Sequence, residues 1–369
     1  MAMRLLAENY RSFRKVDWEI PPGVSVVVGP NGSGKTTLLD LPELFRHAIE
    51  RGMQKSVEHH GGVAWLRHKA AEPSAPVTVT FEVGEVRWEL DLSAIAAGMR
   101  FPSVEKILVG GVEVANQSAR DREVIGPLLG ERELLLDLAE DAQNAVMPLV
   151  KVLDRYRFYR QYHTWSIRQN GSQHSSDDIL HVSGRNVFSV LRNWRDRRET
   201  RPRWELVKNG LRRCFPDLFE DLDFDVAGQV ITGRILAPGF DEGIPVHLAP
   251  EGWLVALLHL TAVASIDRGG MAAIDEPENG LHPYAIRGLI DVMRTWAADQ
   301  DVRIVLATHA PVILDEFKEA PERVFVMERK AEKLPVRLDE LRGRDWLMHF
   351  SLGDLYAHEE FGAQDPELA

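Results

Sequence analysis

The sequence predicts an α/β fold in which the strands of a buried parallel sheet end at a phosphate-binding loop, and three observations predict it. Gly29-Pro30-Asn31-Gly32-Ser33-Gly34-Lys35-Thr36-Thr37 has the full spacing of a P-loop. Val24 to Val28 before it reads as a buried strand, and Thr37 to Arg51 after it as a helix. Met271-Ala272-Ala273-Ile274 is a second apolar strand, closing on Asp275-Glu276-Pro277-Glu278. Val302 to Ala307 is a third, closing on Thr308-His309.

Each element carries part of one chemistry. The glycines let backbone N–H groups turn inward on β- and γ-phosphates, and the helix N-terminus adds positive potential. Asn31, Gly32, Ser33, Gly34, Lys35, Thr36 and Thr37 form this cradle; Lys35 adds a point charge and Thr36 a hydroxyl ligand for Mg²⁺. Asp275, at the end of its strand, supports the Mg²⁺ through water. Glu276 orients and polarises the attacking water, while Lys35 stabilises transition-state charge. His309 reaches the γ-phosphate as a hydrogen-bond donor. A glycine turn, an acidic turn or a histidine alone would be unremarkable loop features. Together they predict binding and hydrolysis of a nucleoside triphosphate.

Taken together, the residues resemble the ABC-type P-loop ATPases, in the branch of RecF, SMC and OLD-like proteins. Arg4 to Phe13 is similar to that branch's first strand and "N-(F/Y)-(K/R)-S-F" turn. Asp275 to Pro283 resembles its "DEPE-x-x-LHP" segment, and Ala307-Thr308-His309-Ala310-Pro311 its "(A/S)-T-H-(S/A)-P" switch. Ser351-Leu352-Gly353-Asp354-Leu355-Tyr356 is similar to an ending of small prokaryotic AAA-type members, many of them defence ATPases. The resemblance covers about residues 1–50 and 245–330. It implies ATP as the nucleotide, Mg²⁺, a homodimer closed over nucleotide, and an antiparallel β-subdomain beside the core. Val77 to Val83 and Glu85 to Leu92 alternate like the hairpin such a subdomain needs.

One departure stands out. The branch places an "S-x-G" signature before the helix leading to Asp275, and its Ser and Gly touch the opposite protomer's γ-phosphate. Here Pro250 stands where the Ser should be, while Gly252 is retained. The missing hydroxyl predicts weak basal turnover.

The domain reading is 1–130 for the first half of the core with its β-subdomain, 131–220 for an inserted basic helical lobe, and 221–369 for the second half of the core. Lys151 to Phe215 holds fifteen Lys or Arg against six Asp or Glu, a formal +9 in a chain of −12. Tyr156, Phe158, Tyr159, Tyr162, Trp165, Trp194 and Trp204 interleave them. Cations with stacking platforms suit DNA; arginines paired with acidic faces of the chain or a partner fit equally. Gln54 to Ala75, with His59, His60 and His68, reads as a loop, since no metal spacing links its histidines. Trp253 to Ile266 is too short to span a bilayer, and His259 within it reads as a core histidine.

The lone Cys214 and the absence of a signal-peptide pattern predict a cytoplasmic protein without internal disulfides. The 60 residues after His309 carry no recognisable nuclease pattern, so any nuclease belongs to another chain. The leading function is thus an ATPase gating a DNA-associated process, in repair or anti-phage defence. The alternative is an ATP-gated scaffold holding a separate effector subunit. A transporter ATPase is disfavoured, because no "LSGGQ" run is present.

Overall fold

The computed structural model describes residues 1–62, 65–93, 104–117, 140–240, 242–328 and 333–362. Its central sheet joins β3 (Gly23–Val28), β8 (Arg157–Tyr159), β13 (Met271–Asp275), β14 (Arg303–Ala307), β15 (Val324–Val326) and β16 (Val336–Arg337), in the order β16-β15-β3-β14-β13-β8. All neighbours run parallel except β16, which returns antiparallel to β15. A second sheet is antiparallel: β1 (Met3–Tyr10), β2 (Phe13–Glu19), β4 (Thr78–Val83), β5 (Val86–Asp91), β6 (Val104–Val109) and β7 (Val112–Gln117), ordered β2-β1-β4-β5-β6-β7. The 77–83 and 85–92 hairpin thus falls where it was expected.

The central sheet is apolar on both faces because both are covered. Val24, Val26 and Val28 of β3 point to one hydrophobic cluster and Val27 to the other. The Val27 side packs on α1 (Lys35–Arg51), α2 (Met53–His59), α3 (Glu140–Arg155) and the antiparallel sheet. The opposite side packs on α4 (Thr164–Asn170), α5 (Val187–Asp196), α6 (Arg201–Cys214), α7 (Glu251–Ala264) and α8 (Pro283–Gln300). Helix α8 starts where the sequence dictates. Pro283 takes the first helical position, where no N–H is needed, and the His282 ring accepts from the Tyr284 N–H at 3.2 Å.

Three expectations are corrected. Within the segment 131–220 assigned to an inserted helical lobe, β8 pairs in parallel with β13 and is the edge strand of the core itself. Three residues, the first of them an arginine, are too few to show a strand period. Residues 221–245 do not return to the central sheet: β10 (Asp221–Ala227), β11 (Val230–Leu236) and β12 (Ile244–Pro245) form a separate sheet with β9 (Ser172–Gln173). The loop expected from Gln54 is helical as far as His59. Finally, the β6–β7 hairpin was not foreseen. The boundary near residue 130 lies outside the described residues.

Buried histidines make the fold acid-sensitive. Burial, reinforced by Arg46, pushes His47 down to about 3, and burial pushes His259, only 3% exposed, down to about 4. Both are neutral when folded, while the unfolded chain takes up their protons near pH 6.5. Their stability contribution is therefore present above about pH 6.5 and lost as pH falls towards 4. The double variant His47→Gln/His259→Gln is expected to lose less melting temperature than wild type between pH 7 and 5. Parallel melting curves would contradict this.

Candidate nucleotide-binding and hydrolytic site

The sheet order brings four strand ends to one edge. The P-loop follows β3, Thr308-His309 follows β14, Asp275-Glu276 follows β13 and Arg160-Gln161 follows β8. Parallel sheets place ligands at this carboxyl edge.

The loop is built to take an anion. Gly32 and Gly34 have φ of +74° and +99°, which a side chain would resist. A Cβ on Gly34 would meet both Phe13 Cε1 and Ser12 Oγ at 2.6 Å, so the turn between β1 and β2 clamps the loop from outside. The first helical bond runs from the Leu38 N–H to the Gly34 carbonyl at 2.8 Å. The N–H groups of Lys35, Thr36 and Thr37 therefore lie outside the helical ladder. No acidic side chain occupies the first turn of α1, and the buried Ser33 Oγ has no hydrogen-bond partner among the described residues. Phosphate oxygens fit both features.

Around the loop, the expected residues converge. The Lys35 ammonium, 6% exposed, donates to the carbonyls of Gly29 (2.8 Å) and Pro30 (3.3 Å) and lies 2.7 Å from His309 Nε2. The Thr36 hydroxyl donates to Asp275 Oδ2 at 3.1 Å. These two oxygen donors, with room for water and phosphate, suit Mg²⁺, which needs few protein ligands. Glu276 has φ +50°, a conformation rare for a residue with a side chain, and its N–H is tied to the Ala307 carbonyl at 2.8 Å. Its Oε1 lies 3.6 Å from His309 Nε2.

Burial sets the charges. It raises Asp275, against the opposing Thr36 bond and Lys35 charge. It raises Glu276 as well, and the Asp275 charge adds to the effect. Burial and the adjacent Lys35 lower His309, which is neutral at pH 7. Lys35 is lowered by burial, against the Glu276, Asp275 and Glu278 carboxylates.

Gly252 is not brought into this cluster. It sits at the start of α7, where a Cβ would meet the Gly280 carbonyl of its own chain at 2.5 Å. That contact alone requires glycine. Pro250 is the N-terminal cap of α7 and supplies no side-chain bond to it.

Four contributors escaped the sequence reading. Gln161 follows β8 and shares a cleft of about 490 Å³ with Asp275, Glu276 and Asn279. Its position depends on recognising β8, whose brevity hid it. Arg160 beside it pairs with Asp40 of α1, which also takes His60 Nδ1 at 2.7 Å and Arg11 at 3.2 Å. Glu278 accepts from the Thr308 hydroxyl (2.7 Å) and the His309 N–H (3.2 Å), fixing the switch loop. Trp65, 61% exposed, lines a cleft of about 830 Å³ with Arg11, Ser12, Thr37, His60 and Lys69 beside the start of α1.

Of the two readings left open for the basic lobe, the structure fits the one in which its arginines pair with acidic faces of the chain. Tyr156, Phe158, Tyr159, Trp194 and Trp204 are buried core residues and offer no stacking face. Trp165 alone of the seven is largely exposed, at 72%. Most of the arginines have partners: Arg155 and Arg203 pair with Asp267, Arg168 with Glu251, Arg195 with Asp223 and Arg213 with Asp291. The acidic faces of the chain itself balance much of the +9.

Comparison with known proteins places the chain in a family. A family model described as "AAA domain, putative AbiEii toxin, Type IV TA system" matches residues 117–315, more than half of the chain. The chain belongs to this family. A second AAA-domain model matches residues 4–44, which hold the P-loop. Among curated relatives, the DNA double-strand break repair Rad50 ATPase of Methanopyrus kandleri is 39% identical over 66 residues, covering 15% of this chain and 8% of that protein. The DNA replication and repair protein RecF of Haemophilus ducreyi is 33% identical over 67 residues, covering 18% of this chain and 19% of that protein. The chain thus spans less than a fifth of either relative.

Solved structures extend the likeness to the whole fold. An Smc head bound to the C-winged helix domain of ScpA has a TM-score of 0.57 at 13% identity, covering 92% of this chain and 98% of that one. An Smc head with an extended coiled coil, bound to the C-terminal domain of ScpA derived from Pyrococcus furiosus, has a TM-score of 0.54 at 11% identity, covering 95% and 99%. This chain of the AAA-domain family thus shares its fold with Smc heads and is similar over short stretches to Rad50 and RecF. No helix among the described residues is long and apolar enough to cross a membrane.

Proposed function

We propose that the chain binds ATP with Mg²⁺ at this sheet edge, hydrolyses it to ADP and phosphate, and closes as a dimer over nucleotide to gate a DNA-associated process. The convergence of Lys35, Thr36, Asp275, Glu276 and His309 on one edge carries this reading. Asn31 to Thr37 cradle the phosphates, and Lys35 neutralises their charge. Thr36 and Asp275 would hold Mg²⁺, with the Gln161 carboxamide within the same cleft. When bound there, Mg²⁺ would supply charge neutralisation to the phosphates. Glu276 orients the water and accepts its proton, and its raised pKa suits that role. Gly252 is offered to the partner protomer's nucleotide.

The base would rest against Trp65, in the cleft that continues from Thr37. Stacking on an aromatic ring is worth about 1–3 kcal/mol. Trp65→Ala is therefore expected to raise the KM for ATP roughly tenfold with kcat little changed. A KM within about twofold of wild type would contradict the assignment.

The second reading is a scaffold whose ATP state holds or releases an effector subunit. The buried aromatics and paired arginines of the 151–215 lobe favour it over a direct grip on DNA. The family description, which names a toxin, supports a defence setting, while the Rad50 and RecF relatives support repair. ATP turnover measured with duplex and single-stranded DNA at rising salt separates the two. Stimulation that fades with salt supports the DNA reading. A rate indifferent to DNA supports regulation by a protein.

A further inference from the structure

Ser351-Leu352-Gly353-Asp354-Leu355-Tyr356 has no part in the chemistry described so far, yet it ends on the switch histidine. Its helix, Leu352–Ala357, is fastened directly behind that switch. Asp315 accepts from the Ser351 hydroxyl (2.7 Å) and the Gly353 N–H (2.9 Å). Gly353 lies so close that a Cβ would meet the Pro311 carbonyl at 2.7 Å. The Tyr356 ring packs on the buried Phe361, with centroids 5.6 Å apart. These contacts place the Tyr356 hydroxyl 3.2 Å from His309 Nδ1 and 3.2 Å from the Gly29 carbonyl.

The donors and acceptors fit one arrangement. A carbonyl only accepts, so the Tyr356 hydroxyl proton goes to Gly29. Its oxygen is left to accept, so His309 Nδ1 carries the ring proton. Nε2 then has a lone pair and accepts from the Lys35 ammonium at 2.7 Å. Donation runs in one direction, from Lys35 through His309 and Tyr356 to Gly29. In this tautomer Nε2 cannot donate to a phosphate. To do so, one proton must leave Nδ1 for water and one must arrive at Nε2 from water, leaving the ring neutral. The Tyr356 hydroxyl then turns from Gly29 to donate to Nδ1.

We propose that Tyr356 is a positioning residue whose hydroxyl selects the His309 tautomer, and with it whether Nε2 accepts from Lys35 or donates towards a γ-phosphate. This rests on the reading of the site as hydrolytic. The test is Tyr356→Phe, which removes one oxygen and keeps the packed ring. We expect kcat to fall about tenfold, on the order of one hydrogen bond, with the KM for ATP within about twofold. In a His309→Ala background the same change should cost nothing further, since the two groups act as one unit. Unchanged kcat, or an equal loss in both backgrounds, would overturn the proposal. An independent readout is the imidazole ¹⁵N spectrum without nucleotide, with His309 assigned by its loss in His309→Ala. The proposal requires protonated Nδ1 in wild type and a mixture of tautomers in Tyr356→Phe. Identical spectra would refute it. Absence of any hydrolysis by wild type would count against the hydrolytic reading, and the spectrum would still decide the role of Tyr356.

Discussion

Lys35→Ala is expected to weaken ATP binding by roughly 30- to 1000-fold, about 2–4 kcal/mol. The ammonium is nearly inaccessible to bulk solvent, and its acceptors are loop carbonyls and His309. It is therefore held against the loop, where phosphate oxygens would take the place of these acceptors. Charge-assisted hydrogen bonds are worth about 1.5–3 kcal/mol each, and the substitution removes more than one. Titration with a fluorescent ATP analogue measures the effect, and a dissociation constant within about threefold of wild type would contradict the assignment. The variant should also melt lower, because the carbonyls of Gly29 and Pro30 lose a buried donor.

Glu276→Gln is expected to do the reverse: binding within about twofold of wild type, and kcat down by about 10²- to 10⁴-fold. The substitution keeps shape and removes only basicity. Glu276 Oε1 lies 3.6 Å from His309 Nε2, and its backbone is held by a bond to Ala307 in the φ +50° conformation. Holding a side chain in so unusual a conformation is typical of sites that must aim a group. Single-turnover hydrolysis beside an equilibrium titration separates the two effects. Loss of binding together with turnover would place Glu276 in the phosphate site.

The gathering of motifs at the sheet edge was legible because each motif is local. Gly29 to Thr37, Asp275-Glu276 and Thr308-His309 each join a short apolar strand to a compact motif, and parallel pairing of β3, β14 and β13 brings them together. What was not legible depends on packing. Arg157-Phe158-Tyr159 becomes a core strand only because β13 offers it an edge, so Gln161 could not be placed beforehand. The interleaved aromatics and arginines of 151–215 look the same in sequence whether the rings face solvent or the core; Trp194 and Trp204 proved to be buried. Gly252 was read for its signature spacing, whereas its close contact with Gly280 comes from tertiary structure. Tyr356 reaches Gly29 across 327 positions of chain, beyond any local pattern.

The most direct measurement is phosphate release from ATP by the purified wild-type protein with Mg²⁺, with EDTA and Glu276→Gln as blanks. The account predicts a slow turnover above both blanks, restored when Mg²⁺ is returned in excess of EDTA. A rate equal to the Glu276→Gln blank, or one indifferent to EDTA, would contradict it.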